Sequence, residues 1–237
     1  LVCSPVEAYY RCRRRPGSGR PFRRVEYAAI RAFSALNAVL GQGYVVLSPY
    51  LASVVPARGG RQRVDVIPVY GVDTEVFRPA TEPKAAIRER LGLPQADSIV
   101  FFSSRVAPEK DAVSVLDAVR QLAAGVRPVR LLHMSGGHRE FAALAAQRGI
   151  GDLVIAGDAL PPFGELADHY RAADVTVQAS REEGLGFSPL ESLACGVPVV
   201  ASAVGGLNDT IRDGDTGWQV PVGDASAMAR AIADVLA

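Results

Sequence analysis

Along most of the chain, short and continuously apolar runs alternate with stretches whose apolar positions recur every three or four residues. The first pattern predicts strands at Tyr44–Leu47, Val64–Val69, Ile99–Ser103, Val129–Met134, Leu153–Ala156, Val175–Gln178, Val197–Ala201 and Trp218–Val220. The second predicts helices at Val25–Leu40, Lys84–Leu91, Ala112–Ala124, Arg139–Arg148, Glu165–Ala173, Pro189–Cys195, Leu207–Ile211 and Ser226–Leu236. Strands that are apolar at successive positions suit a sheet covered by helices on both faces. The expected class is therefore α/β, a Rossmann-like doubly wound parallel sheet. Ligands in such folds bind beyond the carboxyl ends of the strands, so the loops that follow strands are where chemistry is sought.

A turn-rich stretch, Tyr70 to Pro94, holds Gly71, Pro79, Pro83, Gly92 and Pro94 and reads as a junction. The pattern thus divides the chain into residues 1–70, a linker at 71–95 and a β/α unit at 96–237. The first part holds an Arg-rich loop and too few elements for a Rossmann domain of its own.

Composition refines this picture at a few points. With 237 residues, 49% hydrophobic and 22% charged, the chain has the length for a real core. A net charge of +1 offers no global field for nucleic acid. No apolar run reaches the roughly 18 residues of a membrane span, and no signal-peptide pattern opens the chain. Residues 1–31, however, carry eight arginines against Glu7 and Glu26. The stretch Arg11, Arg13, Arg14, Arg15, Arg20, Arg23, Arg24 is broken by Pro16, Gly17, Gly19 and Pro21 and reads as a loop. It is either simply solvated or in contact with anionic lipid headgroups or a phosphorylated acceptor. Cys3, Cys12 and Cys195 show neither a CxxC pair nor metal-ligand spacing, which points to a reducing compartment without structural zinc. Only Lys84 and Lys110 are lysines, and no methionine precedes Met134, so a processed or truncated product is expected.

Two loops carry candidate chemistry. The segment from Arg181 to Glu191 follows a predicted strand and contains Glu183, Gly184, Gly186, Phe187, Ser188, Pro189 and Leu190. Ser188, Pro189 and Glu191 read as a capping box, with Ser188 at the N-cap, Pro189 opening the helix and Glu191 bonding back. The same spacing suits a ligand. Glycines at 184 and 186 admit it to the backbone, and the helix start offers N–H groups to a diphosphate. Glu183 and Glu191 would then hold hydroxyl groups on either side. The second segment, Phe101 to Asp111, leaves a strand and places Lys110 just ahead of a helix, where the macrodipole disfavours a cation. An anionic ligand between Arg105, Lys110 and a helix N-terminus would reverse that penalty.

Taken in order, Arg105-x4-Lys110, Ser135-Gly136-Gly137, Ala172-Ala173-Asp174, Glu183-x7-Glu191, Ala194-Cys195-Gly196-Val197-Pro198-Val199-Val200-Ala201-Ser202 and Gly205-Gly206 resemble the carboxy-terminal half of GT-B retaining glycosyltransferases. The likeness is to the large family often called family 4. Ile67-Pro68-Val69-Tyr70-Gly71-Val72-Asp73 resembles its interdomain segment, and Asp213-Gly214-Asp215-Thr216-Gly217-Trp218 its final strand. The resemblance covers roughly residues 64–237. It implies a donor domain that binds a nucleotide-diphosphate sugar for retaining, metal-independent transfer, with no cofactor. Arg105 and Lys110 would meet the diphosphate, Glu183 the sugar hydroxyls and Glu191 the ribose. Gly184, Gly186, Phe187, Ser188 and Leu190 would line the donor.

The resemblance further implies that residues 1–70 are the remnant of an amino-terminal acceptor domain, that this domain is a missing partner, and that the chain alone binds without turnover. A cytoplasmic location follows, with peripheral contact at an anionic inner membrane face through Arg11–Arg24. A silent nucleotide-sugar-binding module working with a separate subunit is the alternative.

The chain departs from the family pattern at several positions. Ser104 stands where glycine is usual, Asp111 where glycine follows the lysine, Tyr70 in place of asparagine, and Asn208-Asp209 in place of Pro-Glu. Other readings are weaker. Asp213-Gly214-Asp215 follows no apolar strand and reads as a polar turn rather than an Asp-x-Asp metal motif. No Gly-x-Gly-x-x-Gly follows any strand, and His133, His138 and His169 read as structural.

Overall fold

The computed structural model describes residues 22–55, 62–68, 71–125, 128–157 and 161–237. Its elements run α1 (Phe22–Leu40), β1 (Gly43–Val46), α2 (Pro49–Val54), β2 (Arg63–Val66), α3 (Lys84–Arg90), β3 (Ser98–Phe102), α4 (Ala112–Ala123), β4 (Val129–Met134) and α5 (His138–Gln147). They continue β5 (Val154–Gly157), α6 (Phe163–Ala172), β6 (Val175–Gln178), α7 (Phe187–Ala194), β7 (Val199–Ser202), α8 (Leu207–Thr210), β8 (Trp218–Val220) and α9 (Ala225–Leu236). All eight expected strands form, displaced by a few residues at most ends. The α/β doubly wound expectation holds.

Six strands build one sheet in the order β5-β4-β3-β6-β7-β8, every pair parallel. The central strand β3 shows why it lies there. Ile99 and Phe101 face one layer, with Phe77, Ile87, Leu166 and Tyr170, whereas Val100 and Phe102 face the other, with Val115, Leu116 and Phe141. A strand apolar at successive positions, and so on both of its faces, finds burial only between two helical layers. From β3 the chain steps outward through β4 to β5, then returns to β6 on the other side and continues to β7 and β8. The order therefore reverses between β3 and β6, the place in such sheets where ligands bind beyond the carboxyl ends of the strands.

The stretch read as a linker lies against this sheet. Phe77, Ile87 and Leu93 are buried with Ile99 and Phe101, and Lys84 and Arg88 both bond Asp174. The earlier part of the chain makes a two-stranded parallel sheet, β1 with β2, over a small core of Tyr44, Val46, Leu51 and Val55. Helix α2 was not read from the pattern because it is one and a half turns long. Ser48 caps it by accepting from the Leu51 N–H at 3.2 Å, and Pro49 opens it. Val69 and Tyr70 of the interdomain segment, Cys3, Cys12 and the basic positions Arg11 to Arg20 lie outside the described residues, as do the side chains of Arg23 and Arg24. Among the described residues no helix is long and apolar enough to cross a membrane.

His133 sits inside β4, fully buried, stacked on Phe141 with ring centroids 4.1 Å apart and on Phe102 at 5.6 Å. Its Nδ1 lies 2.9 Å from the Phe102 carbonyl, which can only accept, so Nδ1 carries the proton of a neutral ring. Burial lowers its pKa, partly opposed by that bond. A group that stays neutral when folded but takes a proton when unfolded costs stability as pH falls below the unfolded value near 6.5. Urea denaturation from pH 7 to 5 is expected to show that loss, at most about 1.4 kcal/mol per pH unit. In His133→Leu this contribution disappears. An identical pH slope in the two proteins contradicts the assignment.

Candidate functional site

The loops after β3 and β6 meet where the strand order reverses. Beyond Phe102, the chain runs through Ser103, Ser104 and Arg105 into a 3-10 turn, Pro108–Lys110, then through Asp111 into α4. Asp111 is the one non-glycine among the described residues with positive φ, at 46°. This is the position where the family pattern has glycine. The strain of a left-handed residue, about 1–2 kcal/mol, is held by two contacts of its buried carboxylate. Arg181 Nη2 lies at 2.8 Å and Ser114 Oγ at 2.8 Å. Ser104, the other departure, donates to Gln178 Oε1 at 2.9 Å and so ties the β3 loop to the last residue of β6.

Lys110 and Glu183, 73 positions apart, meet at 2.5 Å, both largely buried. Glu183 Oε2 also accepts from Gln178 Nε2 and Ser180 Oγ, each at 3.2 Å. Lys110 does stand ahead of a helix, and this carboxylate is what offsets the unfavourable dipole. Arg105 has a 62% exposed side chain whose Nη2 lies 3.4 Å from Glu109 Oε1. It is the exposed cation of the loop, and Lys110 the largely buried one.

The expected capping box is not formed. Gly186 adopts φ 89°, accessible to glycine, and turns the chain into α7 at Phe187, two residues earlier than expected. Ser188 and Pro189 are then the second and third residues of the helix and Glu191 the fifth, too far along to reach back to its start. Glu191 instead accepts from the Tyr170 hydroxyl of α6, at 2.7 Å on Oε2. Burial raises the pKa of Glu191, and the Tyr170 bond partly offsets this. Burial foremost, with the adjacent Glu191 carboxylate, likewise keeps the Tyr170 phenol well above its ordinary range.

The glycines have internal reasons as well. A Cβ on Gly186 would lie 2.6 Å from Leu207 Cδ2, so that space is filled by protein. At the start of α7 the N–H groups of Phe187 and Ser188 belong to the first turn, where helices receive anions. Pro189 has no N–H, and the Leu190 N–H is directed to the Gly186 carbonyl at 3.4 Å.

Two sets of residues were missed from the sequence. Tyr170 and Ser103, 2.9 Å apart, stand behind Glu191. Tyr170 follows Leu166 at helical spacing, which reads only as core. From the earlier part of the chain, Ser48 donates to the Gly184 carbonyl at 2.7 Å, the Tyr50 hydroxyl to Glu182, and the Tyr50 N–H to Asp209 at 2.9 Å. The Ser-Pro pair at 48–49 was the available signal for α2, but nothing local told what it would touch. Asp213-Gly214-Asp215 forms a turn in which Asp213 accepts from the Gln219 N–H.

Comparison with known proteins shows the family and the fold. The family model described as Glycosyl transferases group 1 matches residues 83–237. The D-inositol 3-phosphate glycosyltransferase of Acidothermus cellulolyticus is 40% identical over 185 residues, 73% of this chain and 40% of that protein. The chain thus spans well under half the length of that relative. Among solved structures, sucrose-phosphate synthase from Thermosynechococcus elongatus shares 29% identity at a TM-score of 0.73, over 87% of this chain and 52% of its own. Anabaena Alr3699/HepE, solved with UDP-glucose, is similar in fold alone, with 19% identity and a TM-score of 0.74 over 88% of this chain and 58% of its own.

Proposed function

We propose, from the premise that this chain belongs to the glycosyl transferases group 1 family and has its GT-B, Rossmann-like fold, that it is the donor-binding half of a retaining, metal-independent glycosyltransferase acting on a nucleotide-diphosphate sugar. The observation that carries this reading is the Lys110–Glu183 pair at the switch point between β3 and β6, beside the start of α7. The cation and the first-turn amides gathered there suit the diphosphate of such a donor, and the carboxylate suits the hydroxyls of its sugar. Lys110 and Arg105 neutralise the diphosphate as it leaves with the glycosidic electron pair, and the α7 dipole adds to this. Glu183 receives sugar hydroxyls, and Glu191 receives the ribose diol.

In the free protein Lys110 and Glu183 satisfy one another. The donor replaces that single pair by a phosphate for the lysine and hydroxyls for the carboxylate. Gly184, Gly186, Phe187, Ser188 and Leu190 shape the wall between them. The hexose donor to test first is UDP-glucose, which the Anabaena neighbour holds.

Thermal shift against UDP, GDP and ADP tests this reading. One of them is expected to raise Tm, by linkage about 2.7 kcal/mol of stability at a hundredfold excess over Kd. Lys110→Ala should weaken that nucleotide at least tenfold, as expected for a charge-assisted bond of about 1.5–3 kcal/mol. No shift with any of the three, or an unchanged affinity in Lys110→Ala, overturns the proposal.

A further inference from the structure

We infer that Tyr170 is a positioning residue for donor binding: its phenol, anchored by Ser103, holds one oxygen of Glu191 and leaves the other to accept from the ribose diol. The inference rests on the reading of Glu191 as the ribose carboxylate. Tyr170 is fully buried. Its ring packs edge-on against Phe101, centroids 4.9 Å apart, and against Phe77 at 6.1 Å, so the hydroxyl has one place to be. That place lies 2.9 Å from Ser103 Oγ and 2.7 Å from Glu191 Oε2.

The direction of the bonds follows from counting protons. A carboxylate only accepts, so the phenol gives its single proton to Glu191 and Ser103 gives its own to the phenol. Ser103 is the first residue beyond β3, Tyr170 stands on α6 and Glu191 on α7. The relay therefore joins three elements around the site and ends on a half-buried carboxylate. A free glutamate side chain would lose up to about 2 kcal/mol of rotamer freedom on meeting its ligand. The Tyr170 bond removes that freedom beforehand, which is preorganisation. A tyrosine that merely filled the core would need no carboxylate at its tip.

The test is ribose discrimination. Kd is measured by calorimetry for UDP, GDP and ADP and for the 2′,3′-dideoxy form of each, on the whole chain. Wild type should favour the ribose form about tenfold with whichever base binds. In Tyr170→Phe that ratio should fall toward one, through weaker ribose-nucleotide binding alone, with the dideoxy affinity unchanged. A core defect would weaken both forms alike.

Glu191→Ala separates the two ideas. If it loses the ratio while Tyr170→Phe keeps it, the Tyr170 inference is overturned and the Glu191 reading stands. If both keep it, the Glu191 reading fails and takes the inference with it. Should Tyr170→Phe not fold, Ser103→Ala replaces it. A partial fall of the ratio is then expected, and an unchanged ratio overturns the inference.

Discussion

Gly206→Ala is expected to lower stability by about 3 kcal/mol or more, a fall in Tm of about 10 °C, and to weaken nucleotide binding with it. The reason is what a methyl group would meet. A Cβ at this position lies 2.2 Å from the Gly184 carbonyl oxygen, 2.7 Å from its carbon and 2.8 Å from Leu185 Cα, all backbone atoms. None can swing aside as a side chain would. The Gly206 N–H also donates to the Glu183 carbonyl at 2.9 Å. Relief requires moving the Gly184–Leu185 peptide away from Gly206, and the adjoining Glu183 would then be drawn off Lys110. Gly164→Ala is the matched control. It lies in helix α6 with open space around it, so it should be neutral or stabilising by up to about 1 kcal/mol. A Gly206→Ala protein melting within 2 °C of wild type would show that the double glycine is not packed against the site loop.

Asp174→Ala should cost about 3 kcal/mol and lower Tm by about 6–12 °C, without touching the candidate donor residues. Its carboxylate accepts from Lys84 at 2.8 Å, from Arg88 at 2.6 Å and from the Ile99 N–H at 2.7 Å. Arg88 is only 7% exposed on its side chain. Alanine leaves a buried guanidinium short of its counter-ion and a strand N–H without its acceptor. Burial alone would push the Asp174 pKa up, but Lys84, the Ile99 N–H and Arg88 outweigh it and hold the carboxyl below the usual range. A depressed folded pKa contributes stability that is complete above the unfolded value near 3.9 and is lost as pH falls through the folded one. Urea denaturation should therefore show a wide gap between wild type and Asp174→Ala at pH 7 that narrows below about pH 4. A gap independent of pH would mean that packing, not charge, is what the aspartate supplies.

This second prediction also shows how a reading of residue types shifts with structure. Lysine occurs twice, at 84 and 110. Scarcity alone marks both, yet Lys84 ends at the Ala173 carbonyl and Asp174, bracing α3 against the sheet, while Lys110 enters the candidate site. The Ala172-Ala173-Asp174 motif likewise belongs to that brace. Its value as a signature comes from holding the fold.

The strands were legible because burial on both faces leaves only apolar side chains usable, and that is a property of each position taken singly. The loops after β3 and β6 were legible for the same reason, since they begin where the apolar runs stop. The start of α7 was misread by two residues. Ser188 and Pro189 carry strong local capping preferences, but the positive φ at Gly186 is set by Leu207 packing above it and by the loop that must reach Gly206. Local propensity of about 1 kcal/mol yields to such contacts.

By itself, then, the sequence determined the parallel sheet, its two helical layers and the charged residues offered at two loop ends. These depend on the residue at each position and its near neighbours. Only the tertiary structure decided which of those residues act together. It paired Lys110 with Glu183, gave Glu191 to Tyr170 rather than to its own helix start, and brought Ser48 and Tyr50 onto the Gly184 loop. Those partners are separated by 21 to 136 positions. Hydrogen bonds and ion pairs are short-ranged and directional, so their choice is fixed by where the strand order reverses and how the helices pack, neither of which is written in any local stretch of the chain.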